Sequence, residues 1–220
     1  GLEARAVLQG VSTNPFVTGW LSHPTMFFFL QAAFLKLFGQ TTFALRLPSA
    51  CVSAAIVVLL YLYARRHFGR LVAVISALFF TGYHFAIHYG RLGVNNIWDP
   101  FFALGAFYLV SRGLDARRVG DLIVGGTVLG LAVYFYTGAR LIPVLLVVYV
   151  ILRMLTERGF LKEHWAHLVV VFLGAWVAAL PMLAFFRTHM HDMMARWDMM
   201  GIFPSGWVDY QVQQTGQSVL

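Results

Sequence analysis

Residues Phe43 to Tyr63 read FALRLPSACVSAAIVVLLYLY, and Ala64 to Arg70 read ARRHFGR. As an α-helix the first stretch is long enough to cross the roughly 30 Å hydrocarbon core of a bilayer. Its one charge, Arg46, lies near its start, and the second stretch closes it with a basic cluster suited to water. The pattern recurs along the chain. It predicts further spans from Leu71 to about His88, from about Val94 to Val110, from Asp121 to Tyr136, a fifth ending near Leu152, and a sixth from His167 to Phe186. His23 to Phe38 is apolar but interrupted by Gln31 and Lys36, and it is barely long enough to cross. It is expected to lie at the interface or to re-enter from one side. The expected fold is therefore all-α, a polytopic transmembrane helical bundle of about six spans plus an interfacial helix. Residues 1–42 form a first outer loop with interfacial helices, 43–186 the transmembrane domain, and 187–220 an outer-side tail or the start of a periplasmic loop or domain.

Composition supports this. Of 220 residues, 60% are hydrophobic and 11% charged, and mean hydropathy is +0.73. A soluble domain carries roughly 25% charged residues, so this chain has too few polar groups to cover a water-facing surface. The net charge of +7 does not point to nucleic acid, because the basic residues form no single patch with interleaved aromatics. Cys51 is the only cysteine, which excludes an intrachain disulfide and a cysteine-based metal site; a small buried residue is its expected role. The chain begins with Gly and shows no signal-like segment, so it is expected to be a piece of a longer protein.

Charge also predicts orientation. Loops with Arg65, Arg66 and Arg70, with Arg112, Arg117 and Arg118, and with Arg153, Arg158 and Lys162 alternate with loops holding only Arg91, Arg140 or Arg187. Lys and Arg concentrate in cytoplasmic loops, so the first set faces the cytoplasm and the second the outer side. Most polar residues that are hard to explain as lipid-facing fall on that outer side. They include Glu3, Arg5, His23, His84, His88, Tyr89, Arg91, Asn95, Asn96, Asp99, Tyr134, Tyr136 and Arg140. An ionisable group at membrane depth costs at least ~2.5 kcal/mol on insertion scales, so this convergence is the main local sign of function.

Bland alternatives stand beside each. Arg91 and Arg140 can snorkel at helix ends. His84 and His88 share a helix face as a metal pair would, but no third ligand is suitably spaced, which favours packed or interfacial histidines. Asp99, before Pro100, can cap a helix as well as catalyse. Tyr134 and Tyr136 fit an aromatic belt. Gly125, Gly126 and Gly130 lie in a helix and are read as close helix packing. They do not have the spacing of a phosphate loop.

The ordered motifs carry a resemblance. Gly1-Leu2-Glu3-Ala4-Arg5, His23-Pro24, Leu37-Phe38-Gly39, Phe43-Ala44-Leu45-Arg46-Leu47-Pro48-Ser49-Ala50 and His67-Phe68-Gly69-Arg70 are followed by Tyr89-Gly90-Arg91-Leu92-Gly93-Val94-Asn95-Asn96. Then come Gly130-Leu131-Ala132-Val133-Tyr134-Phe135-Tyr136 and Ala139-Arg140-Leu141-Ile142-Pro143. Together they resemble bacterial membrane glycosyltransferases of the GT-C type, in the dolichyl-phosphate-mannose-protein mannosyltransferase-like family that includes the lipid A aminoarabinose transferases. The resemblance implies inverting transfer of a hexose or pentose from a polyprenyl-phosphate donor to a glycan, lipid or protein acceptor on the outer face of the bacterial cytoplasmic membrane. Its partners would be membrane lipids, the lipid-linked sugar donor and the acceptor, with no nucleic acid.

Such enzymes use an acid of the first outer loop to deprotonate the acceptor. Glu3 is the only acid there, a few residues later than the family's Asp-Glu pair, which would then precede Gly1. The family's second acidic position falls on Asn96, with Asp99 as a replacement or a cap. Arg91 and Arg140 would contact the phosphate, and His23, Asn96 and Tyr136 would complete substrate binding. Some members need a divalent ion and others do not, and no ligand set in the chain decides it. A transporter or flippase for an amphipathic lipid, and a noncatalytic membrane subunit, are the rival expectations.

Overall fold

In a computed structural model, which describes residues 1–19, 22–200 and 206–207, the chain is helical. The helices are α1 Leu2–Leu8, α2 Met26–Phe38, α3 Thr42–Phe68, α4 Arg70–Gly82, α5 His84–Leu92, α6 Trp98–Ala116, α7 Val119–Leu131, α8 Leu141–Thr156, α9 Phe160–Thr188 and α10 Met190–Met200. Short 3-10 turns occupy Asn95–Ile97, Ala132–Tyr134 and Thr137–Arg140. Among the described residues no strand forms, only an isolated bridge between Thr18 and Pro24. Most of the 187–220 tail, residues 201–205 and 208–220, lies outside the described residues.

Three helical stretches, Thr42–Phe68, Thr137–Thr156 and Phe160–Thr188, are long and apolar enough to cross a membrane. The expected second span is a pair, α4 and α5, bent by 55° at Tyr83. The expected third and fourth spans are α6, which carries Asp99, Arg112 and Asp115, and α7, extended to Tyr134 by a 3-10 turn. At 13 residues α2 reaches only 20 Å or so, too short to cross. Only 17% of the most apolar window of α9 is buried within the protein. Trp165, Phe172, Leu173, Trp176 and Val177 on that helix stand uncovered, as suits side chains solvated by lipid. Cys51 is exposed, which corrects the expectation of a buried residue. Val52 and Ile56 occupy the packed face of α3, and Cys51 falls on its uncovered side.

The core runs through α3, α6, α7 and α9, with Ile56, Ile97, Val110, Leu114, Leu122 and Val171 buried in one cluster. The α7–α9 seam depends on the small residues of α7. A Cβ on Gly126 would collide with the Val171 carbonyl oxygen, and one on Gly130 with that of Ala175. Without side chains at these positions the two backbones approach directly. Tyr134, 1% exposed, adds a second tie. Its hydroxyl donates to the Ala178 carbonyl at 2.8 Å and accepts from the Met182 N–H at 3.3 Å. It therefore bridges the α9 ladder beside Pro181, where a proline interrupts helical bonding.

The basic loops share one end of the bundle. Asp115 accepts from Arg66 at 2.7 Å and from Arg153 at 3.0 Å, joining the ends of α3, α6 and α8. Arg112 pairs with Asp121, Arg117 with Glu163 and Arg153 with Glu157. The Lys- and Arg-rich loops separated in sequence are thus brought together by acids among them.

Candidate active site

At the other end of the bundle the helices stop, and the chain between them folds through turns. Each carbonyl freed there must find a donor, since backbone left bare at membrane depth is costly. Gln31, 1% exposed on α2, donates to the Leu45 carbonyl at 3.0 Å and to the Gly93 carbonyl at 2.8 Å. Ser49 on α3 donates to Val94 O at 3.0 Å, and buried Asn95 donates to Phe135 O at 2.8 Å. Gly93 takes φ +68°, and a Cβ there would sit 3.0 Å from the Leu45 carbonyl oxygen. Both the left-handed conformation and the close approach call for glycine.

These ties surround a cavity of about 500 Å³ lined by Glu3, His23, Phe27, Gln31, Asn96 and Tyr136, among others. Glu3 is positioned by α1, whose Ala4 is fully buried against Ala32, Leu35 and Ala44. Its carboxylate also lies beside Gly19, where an added Cβ would come within 3.8 Å of Oε2. His23 is delivered by the loop before α2. Asn14 starts that loop by accepting from the Phe16 N–H at 2.9 Å, and Thr25 closes it by donating to Val17 O at 3.0 Å. The imidazole stacks on Tyr136, with ring centroids 6.2 Å apart and planes 20° from parallel. Residues from three remote parts of the chain therefore meet in one place.

Four of the seven residues expected from the sequence (Glu3, His23, Asn96 and Tyr136) line this cavity. Asp99 lies just behind it. One carboxylate oxygen presses against Gly138, where a Cβ would also touch the Tyr136 ring at 3.2 Å. Asp99 makes no capping hydrogen bond, and its Oδ1 is buried without a partner. Arg140 is turned elsewhere: Nη1 donates to the Met193 carbonyl of α10, and the guanidinium sits 5.4 Å from the Phe186 ring centroid. Arg91, at the end of α5, is exposed and does not line the cavity. His84 and His88 stack at 5.6 Å on α5, both exposed. Among the described residues no three His, Cys, Asp or Glu side chains gather to hold a metal ion.

Sequence reasoning missed three contributors. Gln31 appeared only as a break in an apolar run. A lone amide in a helix that packs on others must bond something, and that signal could have marked it. Phe27 carried no signal beyond its apolar character. Asp192, in the tail, accepts from Thr18 at 3.0 Å and Ser22 at 3.3 Å, pinning α10 to the loop that carries His23.

The arrangement offers a carboxylate, an imidazole, an amide and a phenol around a space large enough for a sugar, in a bundle whose outer surfaces suit lipid. No curated protein and no solved structure matches the chain. Residues 22–185 match the dolichyl-phosphate-mannose-protein mannosyltransferase family, a stretch that holds His23, Arg91, Asn96, Asp99, Tyr136 and Arg140 but not Glu3. With most of its length matched, the chain belongs to that family of membrane glycosyltransferases.

Proposed function

We propose that the protein transfers a sugar, with inversion, from a polyprenyl-phosphate donor to an acceptor hydroxyl on the outer face of a bacterial cytoplasmic membrane. The observation that carries this is the meeting of Glu3, His23, Asn96 and Tyr136 in one cavity, at the opposite end from the basic loops. Basic loops favour the cytoplasm, so the cavity end favours the outside.

In this reading the acceptor hydroxyl gives its proton to Glu3 while its oxygen attacks the anomeric carbon. The bond from that carbon to the phosphate oxygen breaks, and polyprenyl phosphate leaves with the electron pair. Attack and departure on opposite faces invert the anomeric configuration. His23 and Asn96 supply hydrogen bonds to substrate oxygens, and the Tyr136 ring gives the sugar an apolar wall. Arg140 is the cation for the phosphate, and reaching it requires exchange of the Met193 carbonyl for a phosphate oxygen.

The test is transfer by the full-length protein in liposomes, with a panel of radiolabelled polyprenyl-phosphate hexoses and pentoses. Glu3→Gln keeps the shape and removes the base, and a general base contributes 10²-fold or more as an order of magnitude. A fall of that size in kcat with little change in KM is expected. Normal turnover by Glu3→Gln removes Glu3 from the reaction. Passage of the lipid-linked sugar across the vesicle without any transfer would replace the enzyme by a transporter.

A further inference from the structure

A separate cavity, of about 590 Å³, lies along the spans α8 and α9 and has no part in the transfer step. Its walls run from Pro143 to Met154 on α8 and from Leu168 to Leu183 on α9, with Leu129 and Gly130 of α7 behind them. It exists because α9 packs backbone to backbone on α7 at Gly126 and Gly130, while α8 buries only Ile142 and Leu146. At 1.5 Å per residue the α8 wall extends about 17 Å, roughly the hydrocarbon depth of one leaflet. Among its lining residues only Trp176 carries a hydrogen-bonding group. Water gains nothing in such a groove, and bare walls forfeit dispersion contacts that a chain from the surrounding bilayer supplies.

At the basic end this groove meets another hollow, of about 470 Å³, and Met154 lines both. Phe160, Lys162 and Trp165 line the hollow as well. Lys162 and Trp165 are three residues apart on α9, so they share a face. The Trp165 side is 61% exposed, which suits an aromatic at headgroup level and not one in a core. Charge marks the same spot. The acids at this end are committed: Asp115 to Arg66 and Arg153, Asp121 to Arg112, Glu157 to Arg153 and Glu163 to Arg117. Lys162, and Arg158 just before the hollow's Gly159, are exposed and form no ion pair among the described residues.

We propose that hollow and groove together bind an anionic phospholipid, with its phosphate at Lys162 and Arg158 and one acyl chain between α8 and α9. The lipid comes from the leaflet that the basic loops favour, the cytoplasmic one. Free phosphate or an acidic protein segment matches the cations but leaves the groove bare. A zwitterionic lipid fills the groove but brings its own cation towards Lys162. The site lies at the opposite end from Glu3 and His23, and it stands whether or not the transfer reading holds. Its acyl chain takes the place of the side-chain contacts that α8 and α9 do not offer each other.

The experiment titrates full-length protein in neutral detergent with phosphatidylglycerol or phosphatidylcholine of identical chains, and counts bound lipid by native mass spectrometry. The difference between the two lipids reads the headgroup alone. One cation near an anionic headgroup favours binding about 5-fold, so wild type is expected to prefer phosphatidylglycerol roughly 10-fold or more. Lys162→Gln combined with Arg158→Gln is expected to bring phosphatidylglycerol down to the level of phosphatidylcholine. Both side chains are exposed and unpaired, so the fold is not at stake. Val147→Trp places an indole in the groove and is expected to weaken both lipids about 5-fold. Glycerol phosphate, a headgroup without chains, is expected not to compete. Equal affinity of wild type for the two lipids, or an undiminished preference in the double variant, would overturn the site. So would competition by glycerol phosphate. Val147→Trp that spares phosphatidylglycerol but abolishes binding of polyprenyl phosphate would assign the groove to the donor's chain and overturn the proposal.

Discussion

Gly130→Ala adds one methyl group at the tightest point of the α7–α9 seam. The new Cβ would overlap the Ala175 carbonyl oxygen and lie 2.8 Å from the Ala178 methyl. Neither neighbour can swing away, because one is helix backbone and the other is anchored directly to it. The helices must separate by roughly 1 Å, and a gap of that size forfeits a quarter to a half of each dispersion contact along the seam. Overpacking of this kind costs about 1–3 kcal/mol. The higher helix propensity of alanine returns up to ~1 kcal/mol of that. Gly120→Ala, in the same helix, is the internal control, since a Cβ there meets nothing within 4 Å. It gains only the propensity. Reversible unfolding by sodium dodecyl sulfate in mixed micelles should place Gly130→Ala below Gly120→Ala by about 1–3 kcal/mol. Equal stability of the two variants, or a reversed order, would refute the direct backbone contact of α7 with α9.

Tyr134→Phe removes the hydroxyl that bridges Ala178 O and Met182 N, and the same titration should register a loss of about 1–2 kcal/mol; an unchanged midpoint would show that α9 closes its own ladder beside Pro181. In a Cys51→Ala background, a membrane-impermeant maleimide added to intact cells should label Gln40→Cys, at the cavity end of α3, and not Arg117→Cys, at the basic end. The opposite pattern would turn the cavity to the cytoplasm and exclude an outer-face reaction.

The helices were legible because their cause is one-dimensional. A run of apolar residues such as Phe43 to Tyr63 announces a span by its length, and a cluster such as Arg65 and Arg66 announces its wet end. The sharing of one end by the basic loops followed from their alternation, and Asp115 between Arg66 and Arg153 makes it visible. The glycines of α7 were legible for a similar reason, since small residues one turn apart in an apolar helix have few other uses. Facing directions were not legible. Cys51 stands outside because α3 packs through Val52 and Ile56, and Arg140 turns to Met193 because α10 folds back over it. Both depend on contacts between parts of the chain remote in sequence. The bend at Tyr83 carried no proline to mark it, only Thr81, Gly82 and His84 within a mainly apolar run.

The cavity and the fold share a single cause. A helical bundle in lipid tolerates irregular backbone only where other protein groups or enclosed water satisfy it. Here the turns between α5 and α6 and between α7 and α8 lie at one end, and they free the carbonyls of Gly93, Val94 and Phe135. Gln31 and Ser49 reach across from α2 and α3 to the first two, and Asn95 reaches from one turn to the other. Those bonds fix the turns against the helices, and Gln31 lines the adjoining cavity together with Glu3, His23 and Tyr136. Polar residues that look misplaced in an apolar sequence thus divide into two sets. One set bonds backbone and fixes the turns at that end of the bundle. The other set, Glu3, His23 and Tyr136 among them, lines the cavity.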